Sequence, residues 1–194
     1  MQSTKCPLRA HFVVDARGYA LIQLMIIIQK LTSEHASSFD GLMKAALQEY
    51  PASFETDFSQ IENRSMQNVI DHFGGIENEG GFRLGAFDEL GELVATVRVQ
   101  QRRSPKQSHC ADVTAMFVST EVQNQGVGRL LLESAINSAR ELENVEQLEL
   151  SVSDDALSAL HTYKKMGFEI TGTLPRQIKI GNNYYDYLTM LLVL

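Results

Sequence analysis

Apolar residues recur with two different periods along this chain, and the changes of period mark its elements. Met25 to Leu31 is an Ile-rich run that reads as a buried strand. Thr32 or Ser33 is placed to cap a following helix, with Glu34 in its first turn. Phe39, Leu42, Met43, Ala46 and Leu47 then recur at helical spacing to about Tyr50, and Pro51 stops the helix. A second helix is predicted over Ser65 to Phe73, ended by Gly74-Gly75, and Gly80-Gly81 marks the next loop. Phe82 to Phe87 and Leu93 to Gln101 read as strands joined through Asp88-Glu89-Leu90-Gly91, a hairpin. A polar loop from Arg102 to Ser108, with Pro105 inside it, leads to a strand over Ala111 to Val118. Gly128 opens a helix whose apolar face is Leu131, Ala135, Ala139 and Leu142. Leu148, Leu150 and Val152 alternate with Gln147, Glu149 and Ser151, a strand with one wetter face. Asp154 and Asp155 precede a short helix, about Ala156 to Met166, with Gly167 as its C-terminal cap. Phe168 to Thr173 and Tyr184 to Leu194 close the chain as strands. The order is strand, two helices, three strands, helix, strand, helix, two strands. That order predicts an α/β (α+β) chain with one domain over residues 25–194, preceded by an N-terminal extension, residues 1–24, of unassigned role.

Composition narrows the classes. A length of 194 residues suits one domain with a single sizeable core. The formal charge of -7 argues against a nucleic-acid partner, because phosphate backbones reward clustered Lys and Arg. It weakly favours a cationic or neutral substrate such as an amine. Cys6 and Cys110 have no metal-ligand spacing and are too few for a disulfide framework. His11, His35, His72, His109 and His161 form no H-x-x-x-H pair, so no metal is expected. The apolar stretch Tyr19 to Ile28 is interrupted by Gln23 and falls short of the roughly 20 residues that span a bilayer. Gln29, Lys30 and Leu31 follow it in place of a small-residue cleavage site. No membrane partner is expected, and the cytoplasm is the default location.

The segment that carries chemistry runs from Met116 to Leu132. A strand enters a loop, and the loop enters a helix through Gly126 and Gly128. The start of a helix leaves N–H groups unpaired and carries partial positive charge. Glycines let the backbone approach a ligand closely. Together these features make an anion site suited to a phosphate or pyrophosphate; the alternative is a loop whose glycines serve turn geometry alone. No G-x-x-x-x-G-K-[ST] run exists, which removes the P-loop. Leu131 stands where the third glycine of G-x-G-x-x-G belongs, which weakens a dinucleotide site.

Gln123-Asn124-Gln125-Gly126-Val127-Gly128 matches [RQ]-x-x-G-x-[GA], and the chain here resembles the GNAT superfamily of N-acetyltransferases. Three further segments are similar in the same order. Met25 to Tyr50 resembles the family's first strand and helix. Leu157 to Phe168, with Ala159, Leu160, Tyr163 and Met166-Gly167-Phe168, resembles its "A-x-x-L-Y-x-x-x-G-F" segment, with Leu and Tyr spaced one residue differently. Gly181 to Met190 resembles its last strand. The resemblance implies a mixed central sheet of about six to seven strands, a V-shaped splay between the fourth and fifth, and about four flanking helices.

It also implies a site. Acetyl-CoA would be the co-substrate, its pantetheine arm pairing with Met116, Phe117 and Val118. Its pyrophosphate would meet N–H groups of Gln123, Asn124, Gln125, Gly126, Val127, Gly128 and Arg129. Arg129 would add charge or stay solvated. Tyr163 would protonate the leaving thiolate; a phenol of pKa about 10 and a thiol of about 8.5 are not badly mismatched. Asp112 stands where relatives carry a Glu that takes the amine's proton; otherwise it is a strand-edge acid in a salt bridge. Glu121 is an alternative acid, in solvent. The N–H of Val118 would stabilise the tetrahedral intermediate. Relatives often carry Asn where Ala156 stands, so Asp155 is placed either to reach the cofactor or to cap the helix.

The leading reading is direct attack, in a ternary complex, of a primary amine on the thioester. The amine would belong to a small molecule, a peptide N-terminus or a lysine. Acceptor pockets of this fold fall here at about residues 39–73 and 177–185, with Tyr184 and Tyr185 as lining candidates. A monomer or a homodimer is expected. The alternatives are a non-catalytic acyl-CoA sensor of the same fold and, against the glycine count, a dinucleotide-dependent oxidoreductase.

Overall fold

The computed structural model describes residues 25–78 and 80–194. The extension expected over 1–24 lies outside them. Within the described residues, β1 (Ile27–Lys30), β2 (Gly81–Phe87), β3 (Leu93–Gln101), β4 (Cys110–Val118), β5 (Gln147–Ser153), β6 (Glu169–Ile180) and β7 (Asn183–Val193) form one sheet. Its order is β1-β2-β3-β4-β5-β7-β6. Only β4 and β5 pair in parallel; every other neighbouring pair is antiparallel. The helices are α1 (Ala36–Glu49), α2 (Phe58–Ile61), α3 (Met66–Asn78), α4 (Val127–Ala139) and α5 (Leu157–Lys165). This is the expected mixed sheet, at the upper end of the expected strand count.

Period-two alternation gives the sheet two unlike faces. Val97, Val99, Ala111, Val113, Leu148 and Leu150 form one face and bury against Leu131, Leu132, Ala135 and Ala139 of α4. Each Val and Leu among them contributes about 1.5–3 kcal/mol on burial. The residues between them point the other way, toward α1 and α3. There Phe39, Met43, Leu47, Val69 and Phe73 make a second core with Phe87, Leu93 and Phe117. Gly85 leaves room for Leu31 and Leu93 in this core, since a Cβ there would lie 2.5 Å from side-chain carbons of both. Thr96 is buried on this face and gives its hydroxyl to the Leu84 carbonyl at 3.1 Å.

Several boundaries differ from the sequence reading. Gly74-Gly75 do not end the third helix, which runs through both to Asn78. Two mid-helix glycines cost about 1 kcal/mol each, and burial of Ile76, the next residue, offsets that cost. The chain turns instead at Gly80, whose φ is +73°. The first strand is not buried throughout. It is an edge strand whose flanking residues Ile26 and Leu31 are buried while Ile27 within it is 44% exposed. β6 extends well past Thr173, as the long outer arm of a hairpin with β7. Its pairing breaks between Leu174 and Ile178, where Pro175 sits; an edge strand with a bulge tolerates the missing donor. α2 escapes any periodicity argument because it is a single turn, started by an Asp57–Gln60 capping box.

Asp40 ties α1 to the segment before α3, accepting from Lys44 at 2.8 Å and Arg64 at 2.6 Å. Burial opposes its ionisation, but the hydrogen bonds from Lys44 and Arg64 outweigh that and hold the carboxyl below its usual range. A carboxyl so depressed stabilises the fold above its unfolded pKa of about 3.9 and loses that contribution as pH falls through the folded value. We expect Asp40→Ala to cost about 2 kcal/mol at pH 7, as for a partly buried pair broken on one side. In urea unfolding, the gap from wild type should narrow toward pH 3.

Candidate active site

The sheet opens in its middle. β4 and β5 pair only from Cys110–Gln147 to Asp112–Glu149. Beyond that, β4 bends: its register with β3 shifts between Thr96 and Arg98, where Ala115 takes a left-handed φ of +48°. The shift puts extra β4 backbone opposite Val97, and the strand turns away from β5. Thr114 is therefore exposed although it lies in a central strand. The backbone beyond the bulge alternates cleanly. Ser119 N–H donates to Val94 on β3, while the Val118 carbonyl faces the open side and accepts from Gln123 Nε2 at 2.9 Å. By that alternation the Val118 N–H also faces the opening.

A cavity of about 920 Å³ occupies the opening. At one end is the loop into α4. Gly126 has a φ of +83° and precedes the helix, no side chain caps it, and the first intrahelical bond is Leu130 N–H to Gly126 O at 3.0 Å. The N–H groups of Val127, Gly128 and Arg129 thus precede the ladder. Gln123 fixes the loop, donating to Val118 O and to the Tyr50 hydroxyl at 3.1 Å. At the other end is Tyr163 on α5. It is almost wholly buried, its ring edge-on to Phe168 at 5.9 Å and its hydroxyl 3.7 Å from Met116 Sδ. Desolvation pushes this phenol up to about 12.

Met116, Phe117, Val118, Gln123, Asn124, Gly126, Gly128, Arg129, Asp155 and Tyr163 all line this cavity. Gln125 and Val127 do not. The Gln125 side chain turns back to the Glu121 carbonyl, and Val127 is in the core. The Phe117 ring belongs to the α1–α3 core, against Tyr50. Asp155 does not cap α5: Ala156 is the residue before the helix and no side chain caps it. Asp155 accepts instead from Ser153 Oγ at 2.6 Å, inside its own turn. Glu121 is exposed and held below the usual carboxylate range, first by the Ser119 hydroxyl. Tyr185 lines the cavity, whereas Tyr184 lies outside it beneath Arg176, 3.7 Å from ring centre to guanidinium carbon.

Asp112 lies elsewhere. It lines a second cavity of about 560 Å³ on the α1–α3 face. Arg102 grips it through Nη2 to Oδ1 at 2.6 Å and Nε to Oδ2 at 3.1 Å, and reaches Glu149 Oε2 at 2.8 Å. Asp112 and Glu149 are register partners at the last β4–β5 pair, so Arg102 clasps the apex of the opening. Those bonds, Asp112's first, raise the Arg102 pKa further. The two cavities meet along Ser53, Phe54, Val113, Thr114, Ala115 and Ser151. Sequence reasoning missed Tyr50, the Arg102 clasp, and Arg83 and Arg98 in the second cavity. The arginines had a signal: each breaks an apolar strand at a single position, Phe82-Arg83-Leu84 and Val97-Arg98-Val99.

Comparison with known proteins agrees with this geometry. The model of the acetyltransferase (GNAT) family matches residues 40–168, well over half of the chain. The chain is 36% identical over 99 residues to the L-amino acid N-acetyltransferase AaaT of Escherichia coli, covering 51% of this chain and 58% of that protein. It is 36% identical over 58 residues to the peptidyl-lysine N-acetyltransferase YjaB of Salmonella typhimurium, covering 30% and 36%. The chain thus spans little more than half the length of the first relative and about a third of the second. Its fold matches the acetyltransferase YncA of Salmonella typhimurium, solved with acetyl-CoA, at a TM-score of 0.76 and 16% identity over 87% of this chain and 93% of that one. The chain belongs to the GNAT acetyltransferase family.

The Tyr163 environment has a direct readout. A phenol raised by burial favours the folded state only while protonated, so stability falls as pH rises past the unfolded value of about 10. We expect alkaline unfolding to begin near that pH and to be shallower in Tyr163→Phe. Absorbance at 295 nm should show two late-titrating tyrosines, Tyr163 and Tyr187, and one fewer in the variant.

Proposed function

We propose that the protein transfers an acetyl group from acetyl-CoA to a primary amine, which attacks the thioester directly while both substrates are bound. The observation that carries this reading is the opening between β4 and β5. It has uncapped helical N–H groups at one end and a buried tyrosine hydroxyl at the other. The α4 terminus offers N–H groups and positive dipole to a pyrophosphate, with Arg129 exposed at the rim. The open edge of β4 offers backbone partners to an amide-bearing arm. The Val118 N–H is turned to where a carbonyl oxygen would gain charge. The two relatives act, by name, on an L-amino acid and on peptidyl-lysine. Both acceptors are primary amines, which supports that class.

The chemistry of Tyr163 differs in degree from the sequence reading. A phenol at about 12 sits roughly 3.5 units above a free thiol. Full proton transfer is uphill unless the departing sulfur is desolvated to the same extent. Tyr163 therefore acts chiefly by donating a hydrogen bond as the C–S bond breaks, while the proton that the attacking amine gives up passes through solvent to the departing sulfur, so that CoA leaves as the thiol. Asp112, gripped by Arg102, serves the site by holding β4 and β5 together at the apex; as a base it would first have to release that grip.

Turnover is read as free thiol released over a panel of amines. Tyr163→Phe should lower kcat about 10- to 100-fold with no basic limb assignable to this group below about pH 11; unchanged turnover would remove Tyr163 from the mechanism. Asp112→Asn should lower kcat less than about 10-fold while lowering the melting point. Gly126→Ala forces a side chain into a positive φ and should weaken acetyl-CoA binding in calorimetry while costing about 1 kcal/mol of stability. No stabilisation by acetyl-CoA, together with no thiol release for any amine, would end the reading.

A further inference from the structure

The second cavity holds a charge that no carboxylate among the described residues balances. Arg83 on β2 is 3% exposed, and its Nε and Nη1 have no hydrogen-bond partner. Its polar contact is Nη2 to His72 Nε2 at 3.4 Å, and its guanidinium lies 4.5 Å from the centre of the Phe39 ring. Its charged neighbours are cations, Arg98 and Arg64. Arg64 also buries an unpaired Nη2. Among the described residues, Asp40 is engaged by Lys44 and Arg64, and Asp112 and Glu149 by Arg102. Glu55 sits exposed at the rim. Burial, then repulsion from Arg98 and Arg64, pushes Arg83 down to about 9. Buried donors left unpaired, on a buried charge without a counter-ion, are among the costliest features a fold can carry. Arg83 lines the cavity wall, so an anion entering the cavity would supply what the fold withholds.

We propose that this cavity is the acceptor subsite and that Arg83 receives a carboxylate there, so the acceptor is a small molecule carrying both an amine and a carboxylate. This rests on the acetyl-transfer reading above. Register supplies the geometry. Arg83 pairs with Arg98 across β2–β3, and Arg98 with Thr114 across β3–β4. The row crosses two strand spacings, about 10 Å, from the closed end of the cavity to Thr114, where it joins the first cavity. The guanidinium stands over Phe39 and beside His72, so the row calls for an acceptor whose two groups are several carbons apart. The carboxylate would lie at the closed end and the amine at the Thr114–Ser151 mouth, facing the opening that holds Tyr163. A lysine side chain presented by a protein brings an amine and no anion, and would leave Arg83 uncompensated. A phosphate would meet the same charge, but Arg83 is enclosed beside Phe39, which suits a flat carboxylate.

The test compares matched acceptors under saturating acetyl-CoA: amino acids whose amine lies from one to about six carbons from the carboxylate, their carboxamides, and a lysine peptide with blocked termini. The carboxamides retain the amine and lose the anion, and their amines are the less basic, which biases against the proposal. Wild type should favour the amino acids at least about 10-fold in kcat/KM, mainly through KM, as a site with unpaired donors discriminates. Arg83→Met should bring the ratio close to one without lowering Tm, because an apolar isostere replaces an uncompensated charge. Arg83→Lys should retain part of the preference. Binding of N-acetyl amino acids against their amides, by calorimetry, reads the same subsite without turnover. Equal kcat/KM for acid and amide, a ratio unchanged in Arg83→Met, or a blocked lysine peptide matching the amino acids would overturn the proposal while leaving acetyl transfer intact. Absence of any acetyl-CoA effect would instead defeat the acetyl-transfer reading, and the calorimetric comparison would still decide the subsite.

Discussion

The left-handed backbone at Ala115 is the constraint on which the site depends. A residue with a Cβ at φ +48° costs on the order of 1 kcal/mol or more, and it persists because both flanks are locked. Thr96–Phe117 and Ala95–Val118 pair on one side, Arg98–Thr114 and Val99–Val113 on the other. The extra backbone between those pairs has no place in the sheet and bends β4 outward. β5 cannot follow, because its full length from Gln147 to Ser153 is paired with β7. The two strands are left sharing a short parallel stretch that ends at Asp112–Glu149, with Arg102 binding both carboxylates there. An ordinary sheet would have closed this seam and buried Thr114.

An opening through the middle of a sheet can be reached from both faces, and here the faces differ. On the α4 side the lining is helix terminus, backbone and one buried phenol, which suits phosphate, amides and a sulfur. On the α1–α3 side it is a row of charged and hydroxyl side chains, which suits a polar acceptor. The proposed reaction uses this division: donor and acceptor need not share a wall, and meet along Ser53, Phe54, Val113 to Ala115 and Ser151. The apolar alternates of the same strands close the α4 core, so a single period-two pattern builds the stability of one face and the specificity of the other.

What the sequence revealed follows the range over which each feature is encoded. The strand–loop–helix segment around Gly126 and Gly128 was legible because one contiguous stretch sets its conformation. The opening itself became legible through resemblance alone; its local cause, Ala115, is an ordinary residue that no propensity would place at positive φ. Gly74-Gly75 misled because helix-breaking is a local tendency, and Ile76 supplied a tertiary reason to continue. Asp155 looked like a cap from its position, yet Ser153, on the preceding strand, took its carboxylate. The Arg102 clasp was invisible because it joins β3, β4 and β5, and a chain read in order gives no hint which acids an arginine will meet.

Net charge shows the same limit most sharply. A formal charge of -7 suggested a neutral or cationic acceptor, a fair inference about the average field around the molecule. The field within a cavity is set by the charges lining it and by how many are already paired. On the α1–α3 face Asp40, Asp112 and Glu149 have partners, and the unbalanced buried group among the described residues is an arginine, so an acidic chain presents a positive enclosed site. Because Arg83 lies in low dielectric, its pull on a carboxylate is stronger there than that of the same charge at the surface. The acidic exterior then acts on approach, and the arginine acts on retention. An acceptor with both signs of charge satisfies both, its amine carrying it in past the acidic surface and its carboxylate holding it at the closed end of the cavity.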